Sequence, residues 1–316
     1  MFHEKYHVSA IFYLLHNYFY LGTCLVTFDY QMMQKISFSS VALVQMKSSE
    51  NKTENLRLSL DFIRDAGKRK ANLICFPEFQ MAFSPTVQST RQLAKMAESI
   101  DKGKFISMLC AASKRSKINV IATIYEKNSP NRRPRSDLRV FDTAVMINSK
   151  GVIVSVYRKI HLYDALGFKE SSKLKQGDTI EQPVGIQVGN VGLMICYDIR
   201  FPEMSRILTV NGADILAIPS AWVHGIMKEE HWQTMLKARA IENGSYVIAP
   251  NQVGNIFSGR SMVVDPFGIV LLDMGNREGM ELVEIDRSRI REIRKSLPLL
   301  KNRRTDVYRH NSDAWS

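Results

Sequence analysis

Residues 191–203, VGLMICYDIRFPE, read as an apolar strand that delivers Cys196 at its exit and then turns into a helix over 203–211. The chain keeps alternating in both directions from there. Downstream, strands are expected at 214–219, 246–250, 259–265, 269–272 and 280–285. Helices are expected at 229–243 and 286–296, the last ended by Pro298. Upstream, the order is a strand at 38–47, a helix at 54–70 whose apolar spacing is not cleanly helical, and a strand at 71–76 stopped by Pro77. A helical stretch over 91–115, with a break at Gly103, precedes the strand NVIATIY at 119–125. That strand is almost entirely apolar, and two-sided burial suits a sheet covered by helices. Segments 139–148 and 152–157 form a hairpin about Lys150–Gly151, and a polar loop over 160–178 leads to strands near 185–188 and 191–195. No clean linker divides this order, so an α/β fold, a single αββα sandwich, fits better than two independent domains.

The 316 residues bracket that body with two unlike ends. Residues 1–34 form an extension in which 8–28, VSAIFYLLHNYFYLGTCLVTF, is apolar and aromatic but interrupted by His16 and Asn17. Three readings fit it: a stretch upstream of a natural start at Met32 or Met33, a membrane anchor or surface-lying helix, or a packing extension. Residues 35–286 form the main body, and 287–316 a basic helix and tail. Half of the net charge of +12 lies between Asp286 and His310, where nine Lys and Arg face three acids. No aromatic interleaving, zinc spacing or recognition helix accompanies it, so a solvated or subunit-facing surface is expected and not a nucleic-acid site. Four widely spaced cysteines without a CxxC pair argue against a disulfide framework and for a cytoplasmic protein.

Chemistry gathers where strands end. ANLICFPEF places Glu78 two residues past one strand, VIVSVYRKIH places Lys159 at a second exit, and Cys196 stands at a third. Each alone is ordinary: a cysteine after a strand is usually a small buried hydrophobe, and a lone Lys or Glu is usually solvated. Together they supply an acyl-transfer site. Cys196 is the nucleophile, its ionisation favoured by nearby positive charge and by N–H groups of a helix N-terminus. Glu78 takes the thiol proton and returns it to the leaving amine. Lys159 and the backbone N–H of Tyr197 stabilise the oxyanion. His161 is read as a structural group, and His224 with His231 lacks a third ligand for a metal. No glycine-rich nucleotide fingerprint or GxxxxGK is present.

These three strings, with HWQTMLKARAIEN at 231–243 and GRSMVVDPFG at 259–268, resemble the nitrilase-type carbon–nitrogen hydrolases over residues 38–286. YRKIHLYD and CYDIRFPE are most similar to the branch containing omega-amidases and deaminated-glutathione amidases. The resemblance implies a four-layer αββα fold with mixed sheets, homodimers or higher homo-oligomers packed through helices beside the site, a covalent thioester, and no metal or organic cofactor. It also implies a second glutamate, matched by Glu170 in GFKESSKLKQGD after the short loop 163–167, which orients Lys159 and shapes the pocket.

The substrate follows from the same reading: a small primary amide bearing a carboxylate, hydrolysed to acid and ammonia. Trp222 is expected in the pocket wall. Arg200 is expected to meet the remote carboxylate or, equally, to pair with Glu203. N-carbamoyl amino acids and aliphatic nitriles are alternatives for the same triad. A scaffold without turnover is disfavoured because all three triad residues are intact.

Overall fold

Two six-stranded mixed sheets carry the site, in a computed structural model that describes residues 38–83, 88–128 and 137–310. The expected N-terminal extension, with its apolar 8–28 stretch, lies outside these residues. The first sheet contains β1 (Phe38–Gln45), β2 (Leu73–Cys75), β3 (Asn119–Glu126), β4 (Phe141–Ile147) and β5 (Ile153–Arg158). The second contains β6 (Val184–Ile186), β7 (Gly189–Leu193), β8 (Ile215–Ala217), β9 (Tyr246–Ala249), β12 (Met262–Val264) and β13 (Val270–Asp273). Between β9 and β12, β10 (Val253–Gly254) and β11 (Phe257–Ser258) make a small hairpin, and β14 (Gly279–Asp286) returns to pair with β1. The orders are β14-β1-β2-β3-β4-β5 and β13-β12-β9-β8-β7-β6.

Each sheet has a core of three parallel strands, β1-β2-β3 and β7-β8-β9, extended by antiparallel partners. Strand β4 runs against β3, and β5 against β4, so β5 regains the direction of β2 and β3. The exits of β2 and β5 therefore lie at the same edge of the sheet, where open α/β sheets present their ligands.

Side-chain alternation along β1 explains the layering. Val41 and Leu43 join Leu73, Ile121 and Met146 against the second sheet's Val191, Leu193 and Ile215. Ala42 and Val44 face the other way, toward Ile63 of α1 (Lys52–Lys68) and Leu109 of α3 (Lys104–Ser116). On the far side of the second sheet, α4 (Pro202–Val210) and α5 (Lys228–Asn243) bury Met204, Leu208, Trp232 and Leu236 in the core shared with that sheet. The result is the four-layer αββα sandwich.

Three expectations shift in detail. The 91–115 stretch is two helices, α2 (Thr90–Met96) and α3, because the segment between them places Glu98 where its carboxylate accepts the Phe105 N–H at 2.7 Å. The strand expected over 259–265 is shorter, Met262–Val264, and the hairpin strand Phe257–Ser258 before it was not anticipated. The terminal basic helix α6 (Arg287–Ser296), capped by Asp286, seats Ile290 and Ile293 in the protein, and its Arg294 hydrogen-bonds the carbonyls of Gly244 and Ala213. Its Arg291 and Lys295 face solvent. A short helix α7 (Thr305–His310) follows. Among the described residues no helix is long and apolar enough to cross a membrane.

Candidate active site

The loop after β2 holds Glu78 rigidly. Thr123 of β3 donates its hydroxyl to the Pro77 carbonyl and accepts the Gln80 N–H. Gln80 in turn donates to Ser59 of α1, and Gln252 donates to the Glu78 carbonyl at 2.8 Å. Asn55 and Ser59 take the inner face of α1, alongside Ile63 and Ala66, because they serve this loop. The polar residues in that stripe are why its apolar spacing looked irregular. Phe79 adopts a left-handed φ of 59°, an uncommon conformation for a bulky residue, and turns the chain sharply beyond Glu78.

Lys159 leaves β5 with its N–H on the Asp142 carbonyl and its own carbonyl accepting from Gly177. Only glycine fits there, since a Cβ would lie 2.3 Å from the Arg158 carbonyl oxygen. The Lys159 ammonium, 1% exposed, reaches Glu78 Oε1 at 2.7 Å and Glu170 Oε2 at 2.9 Å, with Asp142 Oδ2 4.0 Å away. Glu170 is steadied by the Tyr163 N–H at 2.8 Å. Burial opposes the charge of Lys159, but Glu170 and Glu78 outweigh it and hold the ammonium well above its ordinary range. Burial lifts the Glu170 carboxyl against the pull of Lys159.

Cys196 opens the turn after β7, its N–H bonded to the Pro219 carbonyl and its φ at 42°. Buried Asp198 braces this elbow: it accepts from the Ile195 N–H at 2.8 Å, from the Tyr157 hydroxyl at 2.6 Å and from His161 Nδ1 at 2.7 Å. His161, stacked on Phe201, is thus a structural link between the Lys159 and Cys196 segments, as the sequence suggests. One expectation is corrected. Burial and the Glu78 charge push the thiol well above its ordinary range, outweighing Lys159 and the hydrogen bond from the Ala221 N–H. That direction runs against the ionisation expected from the sequence, where nearby positive charge and helix N–H groups are weighed without burial. Tyr197 sits in the first turn of a short helix, where the leading N–H groups have no intrahelical acceptor.

Above this floor opens a cavity of 340 Å³ lined by Glu78, Glu170, Cys196 and an aromatic wall. Trp222 forms part of that wall, held by Asn251 on its N–H and by its Nε1 donating to the Lys228 carbonyl. Arg200 lies over the indole at 4.8 Å and forms no ion pair with Glu203 among the described residues. Lys228 was not anticipated. Its ammonium stands 5.4 Å over the same indole and donates to the Tyr163 hydroxyl at 2.6 Å. Desolvation, then Arg200, lowers its proton affinity. As the first residue of α5 it reads in the sequence as an ordinary solvated lysine. Asp142 was missed as well, hidden as one polar residue inside β4.

A sandwich of this architecture with a thiol, an ammonium and two carboxylates in one pocket defines a thiol hydrolase acting on acyl groups. The carbon-nitrogen hydrolase family profile matches residues 40–295, and the chain belongs to that family. It is a hydrolase of non-peptide carbon–nitrogen bonds, of the thiol-dependent amidase kind. It is 33% identical to the deaminated glutathione amidase of Escherichia coli O157:H7, over 79% of this chain and 92% of that protein. It is 34% identical to the deaminated glutathione amidase of Mus musculus, over 85% and 84% of the two chains. Among solved structures, a carbon-nitrogen hydrolase from Helicobacter pylori superposes with a TM-score of 0.78 at 28% identity, covering 86% of this chain and 98% of that one.

Proposed function

We propose that this amidase acts on a small primary amide carrying a carboxylate. The supporting observation is the pairing of Arg200 and Lys228 on the face of Trp222, above Cys196, with neither cation in an ion pair among the described residues. Two cations over an aromatic face in a largely apolar pocket favour an anionic group on the substrate, at a distance from the reacting carbon. Relatives named deaminated glutathione amidase support the same direction.

In this reading Cys196 Sγ attacks the amide carbonyl carbon while Glu78 removes the thiol proton. Lys159 and the Tyr197 N–H hold the oxyanion. The C–N bond breaks as Glu78 passes its proton to nitrogen, ammonia leaves, and a thioester remains. Water, deprotonated by Glu78, attacks that thioester; the C–S bond breaks, and the proton returns to sulfur with release of the acid. Glu170 keeps Lys159 aimed at the oxyanion.

The test is ammonia release over 2-oxoglutaramate, 2-oxosuccinamate, deaminated glutathione, simple aliphatic amides, N-carbamoyl amino acids and nitriles, with Cys196→Ala as control. Turnover of the carboxylate-bearing amides above the rest is expected. Preference for N-carbamoyl compounds or nitriles would overturn the substrate assignment, and activity in the control would overturn the nucleophile.

We further infer a homodimer packed through α4 and α5, supported by exposed Ile207, Val210 and Ile241 on those helices. Sedimentation of a monomer at micromolar concentration would contradict it. The free thiols of Cys75, Cys110 and Cys196 suit a reducing, cytoplasmic setting. Residues 35–286 are proposed as the hydrolase domain, with 1–34 an extension and 287–316 a basic terminal element.

A further inference from the structure

The floor of the pocket holds more carboxyl groups than the hydrolytic cycle uses. Glu78, Glu170 and Asp142 surround one ammonium, that of Lys159, and all four side chains are at most 10% exposed. Lys159 directs its short contacts to Glu78 at 2.7 Å and to the two Glu170 oxygens at 2.9 and 3.2 Å. Asp142 Oδ2, 4.0 Å from the ammonium, has no hydrogen-bond partner if it is an acceptor.

Among the described residues Asp142 forms no ion pair with a second cation. Arg158 on the neighbouring strand is engaged by Glu126 at 2.6 Å, and Tyr125, which faces Asp142 from β3, gives its hydroxyl to the Phe83 carbonyl. With both glutamates ionised, as the proposed cycle requires, the cluster exceeds its one ammonium by a unit of negative charge. A third buried, unpaired carboxylate would cost far more than neutralising it with a proton. A proton on Asp142 turns the orphan oxygen into a donor, and Glu78, whose Oε1 lies 2.7 Å from the ammonium that Asp142 also approaches, is the carboxylate gathered at the same point to receive it. Burial first, and the Glu78 charge second, hold the Asp142 carboxyl well above the usual carboxylate range, in the same sense as this charge balance.

We propose that Asp142 stands as a neutral acid whose O–H donates to the Glu78 carboxylate, making it a positioning residue that fixes the base and tempers its hold on a proton. The proposal rests on the reading of Glu78 as the general base. Its chemical sense lies in the cycle: Glu78 must take a proton from the thiol and then surrender it to the leaving nitrogen. A base stabilised by a donor surrenders that proton more readily. One Glu78 oxygen is occupied by Lys159; the Asp142 hydrogen bond further limits rotation of the carboxylate.

The pH dependence of kcat/KM separates the possibilities. In Asp142→Leu the donor is lost, so the acid limb should move up by about one pH unit, with a loss of about tenfold on the acid side that closes as pH rises. Asp142→Asn, whose amide N–H replaces the carboxyl donor, should restore the limb to its wild-type position. If Asp142 were ionised, removing its charge would relieve repulsion at Glu78, and both variants would move the limb to lower pH. That result overturns the proposal. So does an equal loss at all pH values that Asn fails to rescue, the mark of a purely structural role. Glu78→Gln should be inactive throughout; if it turns over substrate, the base assignment itself fails, independently of Asp142. Infrared difference spectra of wild type minus D142N give a second readout. They should show a protonated-carboxyl C=O band at neutral pH, and its absence would sink the idea even if the Leu variant does not fold.

Discussion

The floor and the mouth of the pocket are built on opposite principles. At the floor, Glu78, Lys159, Glu170 and Asp142 are withdrawn from water, with Glu78 and Glu170 paired to the Lys159 ammonium within 2.9 Å and Asp142 4.0 Å from it. At the mouth, Arg200 and Lys228 rest on Trp222 and Tyr163 and form no ion pair with a carboxylate among the described residues. A saturated cluster has nothing left to offer a substrate except chemistry, whereas unpaired cations over aromatic faces have binding capacity in reserve. On the proposed roles, floor substitutions should reduce kcat and mouth substitutions should raise KM.

The strongest attempt to break this division is at the nucleophile. Cys196→Ala should lower amide turnover by about 10⁴-fold or more while leaving the circular dichroism spectrum unchanged. Appreciable ammonia release by the purified variant would end the assignment. Lys159→Ala comes next. Loss of the oxyanion partner alone is worth about 10²–10³ in kcat. In addition Glu78 and Glu170 would be left buried without their counter-ion, a destabilisation of about 3–5 kcal/mol readable by denaturant titration. A variant that lost activity but kept full stability would show that the cluster is not held by charge.

The floor was more legible in the sequence than the mouth, for a physical reason. Glu78, Lys159 and Cys196 follow apolar runs, and a reactive residue just past a buried strand must emerge at the sheet edge. Their convergence needs only that β2, β5 and β7 exit toward one another. Glu170 sits in a loop, and only the family resemblance marked it. Asp142 lies within a strand, where its neighbour Thr143 is equally buried and a single polar residue looks like part of the ladder. Lys228 owes its place to the left-handed turn at Met227 that starts α5, a conformation that no local sequence rule assigns to methionine. The sandwich itself was readable from alternation, while the polar stripe of α1 concealed its period because Asn55 and Ser59 serve the Glu78 loop.

The mouth offers a milder test. Arg200→Ala should raise KM for a carboxylate-bearing amide by about 10- to 100-fold, the worth of a charged hydrogen bond, with kcat little changed. Lys228→Ala should raise it by about five- to tenfold, since part of that ammonium's hydrogen bonding is spent on Tyr163. Against a neutral aliphatic amide both variants should match the wild type within about twofold. Equal losses on charged and neutral amides would mean that the two cations shape the wall and do not read the substrate.

The smallest expected effect probes the floor without substrate. The Asp142 carboxyl is raised by burial and by Glu78 in the folded protein; on the proposal of a neutral Asp142, the native state keeps a proton that the unfolded chain releases above about pH 4. Stability slopes with pH as the protons bound unfolded minus those bound folded, which is negative here. This contribution is therefore fully favourable below the unfolded carboxyl value and is lost progressively as pH rises toward the folded one. Asp142→Asn carries no proton to lose. Its melting temperature should match the wild type near or below pH 4 and exceed it by a few degrees at neutral pH, the gap opening as pH rises. A gap that closes with rising pH, or that is the same at both ends, would place an ionised Asp142 at the floor. The contrast between a floor saturated with paired charge and a mouth with cations in reserve would then need a different charge count.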